Sequence, residues 1–290
     1  MSKIKKICWS YEFIKRGTIS MKKYLVDVVN EKIAVHESEG KGLVAVLIHG
    51  NSLSSKSFYN QLEGPVGNNF HLIAIDLPGH GESLPSKDPK NTYCVPGYAR
   101  VIYGLLDQLK ISNPVLVGHS LGGHVALELS KMVSNVKGIF IFGTPPIGKP
   151  PALQQAFIDN PSSNLLFKKR LNEEQIKLIA SILIKEGGEI PQFILDDIKN
   201  TDPKARSLMT SSIAANIFHD EIDIVSSLDI PLAIIHGAHD LSVNIDYINK
   251  LQIPTLWQGK IQIIENAGHS PQHETPEQFN MILEQFILDL

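Results

Sequence analysis

Cysteine is scarce in this sequence, and long apolar runs and blocks of like charge are missing. Only Cys8 and Cys94 occur among 290 residues, so a disulfide scaffold is not expected and a reducing compartment is favoured. No apolar stretch approaches the roughly 18 residues that a membrane-spanning helix needs. The formal net charge is −3 and no basic run crosses the body of the chain, which argues against nucleic-acid partners.

The first twenty residues are basic, but they lack the apolar block of a secretory signal. The sequence therefore predicts a cytoplasmic protein with an N-terminal tail over residues 1–21, and Met21 is an alternative start. A membrane-touching amphipathic segment that uses apolar residues such as Trp9 and Phe13 is a second interpretation of this tail.

The sequence does contain short, almost uninterrupted apolar runs, which are typical of strands buried on both faces. These runs are 43–49, 71–77, 114–119, 136–143, 231–237 and 260–266, preceded by two β-rich runs, 24–30 and 32–38, that predict a hairpin. Segments with helical spacing lie at 55–63, 97–110, 121–133, 244–251 and 276–288. The alternation predicts an α/β fold with a mostly parallel sheet and helices on both faces.

The alternation stops between about 145 and 226, where no strand pattern is present. A proline-rich start, GTPPIGKPPA, is followed by amphipathic segments, including 172–187, with Asn172 as N-cap, and 191–200. We interpret 146–226 as a helical cap inserted into an α/β core. The core is then made of 22–145 and 227–290.

Gly118, Ser120 and Gly122 form a G-x-S-x-G pattern between a predicted strand and a helix that starts directly at Leu121. Such an abrupt turn raises the serine Oγ above the sheet, and the helix N-terminus favours developing negative charge. The context predicts Ser120 as a nucleophile. The alternative is a serine that only caps the helix.

A serine hydroxyl needs a histidine base that a carboxylate holds in one tautomer. Asp240 follows the run 231–237 and His269 follows the run 260–266, so both are expected on loops at the carboxyl ends of late strands. Asp240 is therefore the predicted acid and His269 the predicted base. Asp246 is a second candidate for the acid.

Two backbone N–H groups are expected to bind the oxyanion. Leu121, directly after the nucleophile, supplies one, and Asn51, in the loop after the first parallel strand, supplies the other. The Asn51 side-chain amide is a further donor. His236, His239 and Asp240 also offer three metal ligands, but the triad requires the aspartate, so we predict no metal and no cofactor.

Together these motifs resemble the α/β-hydrolase superfamily over about 22–290. The resemblance rests on GHSLGGH (118–124), His49-Gly50, DLPGHGES (76–83), Asp240, and His269 followed by Glu274 and Pro276. It implies that 76–83 is a structural signature of the fold. Within the superfamily the chain looks closer to the serine-type N-acyl-homoserine lactone hydrolases, through IAVHESEGKG (33–42), HGNSLSS (49–55), QLEGPVG (61–67), GTPP (143–146), TDPKAR (201–206) and LWQGKIQIIENAGH (256–269).

That branch has an aromatic residue after the nucleophile and a glutamate as its acid, where this chain has Leu121 and Asp240. The cap has no Tyr or Trp between 146 and 225, so it offers no aromatic hydroxyl for a substrate amide. The resemblance implies hydrolysis of an N-acyl-homoserine lactone, with a small ester or lactone as the partner. A carboxylesterase, a C–C bond hydrolase and a triad-bearing ligand receptor are the alternatives.

Overall fold

The computed structural model describes residues 12–16 and 19–290, with side chains from Met21 onward. Nine strands form one sheet in the order β1-β2-β3-β5-β4-β6-β7-β8-β9. The strands are β1 (Glu12–Arg16), β2 (Ile19–Val28), β3 (Glu31–Glu37), β4 (Val44–Ile48), β5 (His71–Ile75), β6 (Val115–His119), β7 (Gly138–Phe142), β8 (Leu232–Gly237) and β9 (Gln262–Ile264). In the part β1-β2-β3-β5 of this order, neighbouring strands are antiparallel. In the part β5-β4-β6-β7-β8-β9, neighbouring strands are parallel.

Thirteen α-helices accompany the sheet in the described chain. They are α1 (Tyr59–Leu62), α2 (Pro65–Asn69), α3 (Pro89–Thr92), α4 (Val95–Leu109), α5 (Leu121–Ser130), α6 (Leu153–Ala156), α7 (Glu173–Ser181), α8 (Gln192–Asn200), α9 (Pro203–Ala214), α10 (Glu221–Ser227), α11 (Ile245–Ile248), α12 (Pro271–Glu274) and α13 (Pro276–Leu288). Short 3₁₀ helices occupy Ser55–Phe58, Pro161–Phe167 and Trp257–Gly259. Within the described residues, no helix combines the length and apolarity needed to cross a lipid bilayer.

The central strands place apolar side chains on both faces of the sheet. Along β4, Val46 and Ile48 belong to a cluster that includes residues of α4 and α5. Ala45 and Leu47 point the other way, into a cluster with residues of α13. Because successive residues of a strand face opposite sides, an unbroken apolar run needs helices on both faces. The predicted fold class is confirmed.

The predicted hairpin is β2 paired with β3, with Val26 opposite Ile33. The sheet begins earlier than the predicted boundary at residue 22, because β1 pairs with β2 and Ile14 lies opposite Met21. The prediction of a tail over 1–21 is therefore wrong for residues 12–16 and 19–21, which belong to the sheet. Residues 1–11, including Trp9 of the membrane-touching interpretation, lie outside the described residues.

Helices α6 to α10 lie between β7 and β8, and we call the segment 146–226 the cap. Asn172 caps α7 as expected, since its side chain accepts the Gln175 N–H at 2.8 Å while Gln175 Oε1 accepts the Asn172 N–H. Helix α7 ends at Ser181, before the predicted end at 187. The next residues, 182–184, are all buried, and three consecutive positions of a helix cannot all lie on one narrow face.

Candidate active site

Ser120 forms the one-residue turn between β6 and α5. Its φ is 50° and its ψ is −117°, a backbone conformation that costs about 1–3 kcal/mol and persists only where the surroundings hold it. Its N–H donates to the Phe142 carbonyl at 2.9 Å, and its carbonyl accepts the Thr144 hydroxyl at 2.9 Å. These contacts hold the serine against the end of β7.

Close packing against the end of β4 requires a glycine at position 122. A Cβ on Gly122 would lie 2.0 Å from the Ile48 carbonyl oxygen and 2.8 Å from that of His49. A larger residue would therefore push α5 away from the end of β4. The close approach keeps the half-buried Ser120 at the carboxyl edge of the sheet.

Asp240 and His269 lie together at the same edge. His269 Nδ1 is 2.9 Å from Asp240 Oδ2 and 3.1 Å from Oδ1, and both residues are buried. Burial raises the pKa of the Asp240 carboxyl, but His269 and the Ser242 N–H outweigh burial and hold this pKa below its ordinary value. Burial lowers the pKa of His269, yet the charge and hydrogen bond of Asp240 and the charge of Glu274 together outweigh burial, and the net pKa is raised. Nδ1 therefore donates to the carboxylate and Nε2 is left as the basic nitrogen.

The His269 ring borders the turn that carries Ser120. A Cβ on Gly143 would lie 2.8 Å from His269 Cε1 and 3.1 Å from Nε2, so glycine is needed under the ring. The Ser120 N–H is bonded to Phe142, the residue before Gly143. The predicted nucleophile and base therefore both adjoin the end of β7.

His119 connects the strand before the nucleophile to the loop of the base. Its Nε2 donates to the His269 carbonyl at 2.9 Å, and its ring stacks on Phe142 with centroids 4.8 Å apart. Burial holds the pKa of His119 well below its ordinary value, so the imidazole is neutral. Sequence reasoning gave this histidine no role, because only the tertiary contact defines one.

Glu274 holds the loop of the base in place. Its Oε1 accepts the N–H groups of Gly268 at 2.9 Å and Ser270 at 3.1 Å, on either side of His269. Its Oε2 accepts the Lys185 N–H of the cap at 2.8 Å. One carboxylate therefore ties the cap to the loop of His269. The sequence signal for Glu274 was its place in the family resemblance, without a role.

The predicted oxyanion donors lie on adjacent loops, because β4 and β6 are parallel neighbours with Ile48 opposite Gly118. Leu121 is the first residue of α5, so its N–H has no acceptor within the helix. Neither this N–H nor that of Asn51 donates to another described residue. The Asn51 Nδ2 is buried and also has no partner among the described residues.

The other candidates are placed apart from this arrangement. Asp246 is exposed on α11, and its carboxylate is not bonded to His269. His236 is buried at the end of β8 while His239 is exposed. In the part of the chain that the structure describes, no three His, Cys, Asp or Glu side chains are grouped so that they would hold a metal ion.

A doubly covered parallel sheet with a strand–serine–helix turn beside a buried Asp–His pair defines the α/β-hydrolase architecture. The chain belongs to the alpha/beta hydrolase family, whose model matches residues 45–282. This confirms the family and the fold expected from the sequence.

Known proteins similar to this chain include a lactonase, an esterase and a third hydrolase. A variant of the N-acyl homoserine lactonase AidH, complexed with N-hexanoyl homoserine lactone, is 34% identical, covers 92% of this chain and 97% of its own, and has a TM-score of 0.88. An esterase from Exiguobacterium antarcticum is 20% identical over 91% of this chain and 98% of its own, with a TM-score of 0.74. A 2-hydroxy-6-oxononadienedioate/2-hydroxy-6-oxononatrienedioate hydrolase of Pseudomonas sp is 23% identical, covering 89% of this chain and 93% of that protein.

Proposed function

We propose that this protein is a serine hydrolase that cleaves a carboxylic ester or lactone through an acyl-enzyme. The observation that carries the proposal is the buried Asp240–His269 pair, at 2.9 Å, beside the positive-φ turn of Ser120. A carboxylate that holds imidazole in one tautomer is what a serine nucleophile requires.

In the proposed cycle, Ser120 Oγ attacks the carbonyl carbon while His269 Nε2 takes its proton. The N–H groups of Asn51 and Leu121 bind the oxyanion. The bond to the leaving alkoxide then breaks and His269 returns the proton to that oxygen, which in a lactone opens the ring. Water that gives a proton to His269 attacks the acyl carbon, and Ser120 leaves with that proton. The cycle needs neither metal nor cofactor.

We propose N-acyl-homoserine lactones as the substrate class. The similarity to a lactonase structure, at 34% identity over 92% of the chain, supports this choice. Apolar cap side chains, among them Ile176 and Ile194, form a buried cluster with Leu53, so the apolar core of the cap adjoins the loop after β4 that carries Asn51. The scarcity of cysteine supports a cytoplasmic location, which is part of the proposal.

The test compares ring opening of short- and long-chain N-acyl-homoserine lactones with hydrolysis of p-nitrophenyl esters. Wild type is expected to form the ring-opened N-acyl-homoserine, and Ser120→Ala and His269→Ala are each expected to lower kcat about 10³-fold or more, as removal of triad members does. A fluorophosphonate is expected to label wild type and to leave Ser120→Ala unlabelled.

His239→Ala is the matched control, because His239 is exposed one residue from Asp240. It is expected to keep nearly full turnover. Near-normal turnover in Ser120→Ala would overturn the mechanism. Turnover of p-nitrophenyl esters without any opening of lactones would contradict the lactonase proposal and support a carboxylesterase.

A further inference from the structure

Arg206 is a buried cation whose contacts are all to neutral groups. It lies on α9 of the cap and is 2% exposed. Its Nη2 donates to the Ile198 carbonyl at 2.7 Å, its Nη1 to the Lys168 carbonyl at 3.4 Å and its Nε to Ser52 Oγ at 3.0 Å. No ion pair joins Arg206 to a carboxylate among the described residues. Because an uncompensated buried charge is costly, its retention calls for a physical reason.

Two of the three contacts lie within the cap itself. The Ile198 carbonyl belongs to the last turn of α8, where a cation is favoured by the unpaired carbonyls and the helix dipole. The Lys168 carbonyl directly follows the 3₁₀ helix Pro161–Phe167. The third contact leaves the cap and reaches the loop after β4, which carries Asn51.

That loop is one of the places where the cap contacts the core. Ser52, Leu53 and Ser54 are all buried, and each contacts the cap in a different way. Ser52 accepts from Arg206, Leu53 packs in the apolar cap cluster, and Ser54 Oγ donates to Asp197 Oδ2 at 2.6 Å. A shift of the cap helices would therefore move this loop.

Ser52 passes the contact from Arg206 on to Asn51. Its Oγ accepts from Arg206 Nε, so its own hydrogen is available for Asn51 Oδ1, 3.3 Å away. With Oδ1 bound to Ser52, the amide Nδ2 must face another direction, and it is buried without a partner in the described chain. A buried donor without an acceptor calls for a physical explanation, and an oxygen atom of the substrate would supply the missing acceptor.

We infer that Arg206 and Ser52 are positioning residues for the Asn51 side-chain amide, which donates a hydrogen bond to the substrate carbonyl oxygen as it becomes an oxyanion. The inference rests on the proposed function, because it needs an acyl substrate on Ser120. It also gives the cap a part in the chemistry, since the cap residue Arg206 fixes the donor. A donor aimed at developing charge acts mainly in the transition state.

Ser52→Ala tests the relay, because it removes the middle hydroxyl and leaves Arg206 in place. With p-nitrophenyl butanoate as substrate, we expect kcat to fall about tenfold while KM changes less than twofold. Asn51→Ala removes the donor and is expected to lower kcat about 10²-fold. The Asn51→Ala/Ser52→Ala double variant should be no slower than Asn51→Ala, because both changes act through one donor.

Arg206→Met gives a second cycle with Asn51→Ala and the same expected non-additivity. Arg206→Met removes a buried cation and can unfold the cap. The double-mutant cycle of Ser52 and Asn51 therefore decides whether the relay exists. Ser57→Ala is the control for Ser52, since the Ser57 hydroxyl is buried in the adjacent 3₁₀ helix and has no partner among the described residues. Arg100→Met, on an exposed part of α4, is the control for Arg206.

Independent, multiplicative effects of Ser52→Ala and Asn51→Ala would overturn the relay, because a general structural defect multiplies with loss of the donor. A rise in KM at constant kcat would also overturn it. Fluorophosphonate labelling separates this failure from failure of the proposed function. If wild type is not labelled, the proposed function fails; if it is labelled and the effects multiply, only the relay fails.

Discussion

Two buried histidine–carboxylate pairs adjoin helix α5, and their internal geometry is almost the same. In the first, His269 Nδ1 lies 2.9 and 3.1 Å from the oxygens of Asp240. In the second, His124 Nδ1, one turn into α5, lies 2.9 Å from both oxygens of Glu221 on α10. All four side chains are buried. Distance and burial therefore do not separate the proposed catalytic pair from a structural one.

The surroundings of the two pairs do separate them. Glu221 Oε2 also accepts the Ile147 N–H at 2.9 Å, and the Glu221 N–H donates to the Ile147 carbonyl at 3.0 Å. That pair therefore fastens the start and the end of the cap to α5. Asp240 instead accepts N–H groups of its own loop, and its histidine lies over Gly143 beside Ser120. Position at the carboxyl edge of the sheet is what distinguishes the proposed base from His124.

Asp240→Asn, which breaks the first pair, should have the largest effect on kcat. Because Oδ1 accepts the Ser242 and Val243 N–H groups, the asparagine would turn its NH2 toward His269 Nδ1 and favour the wrong tautomer. We therefore expect kcat to fall about 10⁴-fold with little loss of stability. Ester hydrolysis and thermal unfolding measure the two quantities. Asp246→Asn, at an exposed position of α11, is the control and should be nearly neutral. A loss below tenfold for Asp240→Asn would mean that Asp240 does not orient the base.

Glu221→Ala, which breaks the second pair, should lower stability and leave most of the activity. It leaves the His124 Nδ1–H and the Ile147 N–H buried without acceptors, and each unpaired donor costs about 1–3 kcal/mol. We expect the free energy of unfolding in urea to fall by about 2–5 kcal/mol. The folded variant should keep a kcat within about tenfold of wild type, far above that of Asp240→Asn.

Glu265→Ala serves as its control, because Glu265 is exposed in the loop after β9. This variant should unfold within about 0.5 kcal/mol of wild type. If Glu221→Ala lost activity as severely as Asp240→Asn while remaining stable, the distinction between the two pairs would be wrong.

The first pair was predictable from the sequence, because its signals are local. An apolar run followed by a turn places Asp240 and His269 at strand ends, and the G-x-S-x-G pattern between a strand and a helix does the same for Ser120. Parallel pairing then brings all these ends to one edge of the sheet. The fold was predictable for the same reason, since apolar runs and helical spacing are read within short windows.

The second pair was not predictable, because its partners are 97 positions apart and no local pattern joins them. The same is true of Arg206 and Ser52, which are 154 positions apart, and of Glu274 and the Lys185 N–H, 89 apart. Periodicity indicates which face of an element is buried, but not which polar groups meet there. The contacts between the cap and the core were therefore beyond the reach of sequence reasoning.

Another buried carboxylate, Asp197, has no histidine partner among the described residues and extends the comparison. Burial raises its pKa to about 6, although the Ser54 hydroxyl and Lys56 Nζ, 3.6 Å from Oδ1, oppose this shift. Asp240 is also buried, but His269 lowers its pKa. The partner of a buried carboxylate thus decides whether its pKa is raised or lowered. Between the ordinary carboxyl pKa of about 3.8 and about 6, the folded chain binds more protons at this site than the unfolded chain. Its contribution to stability therefore falls as the pH rises through this window.

Asp197→Asn removes this titration while an amide oxygen still accepts from Ser54. We expect the variant to be more stable than wild type by about 2 kcal/mol at pH 7.5. Ionising the buried Asp197, whose pKa is raised to about 6, costs about 3 kcal/mol, and loss of the Lys56 contact offsets part of this gain. At pH 4 the advantage should disappear, because Asp197 is then protonated in the folded wild type. Urea unfolding at both pH values measures this, with Asp196→Asn, one residue away and half-buried, as the control. A difference that is independent of pH would show that Asp197 stays ionised, and that its serine and lysine partners hold it as firmly as His269 holds Asp240.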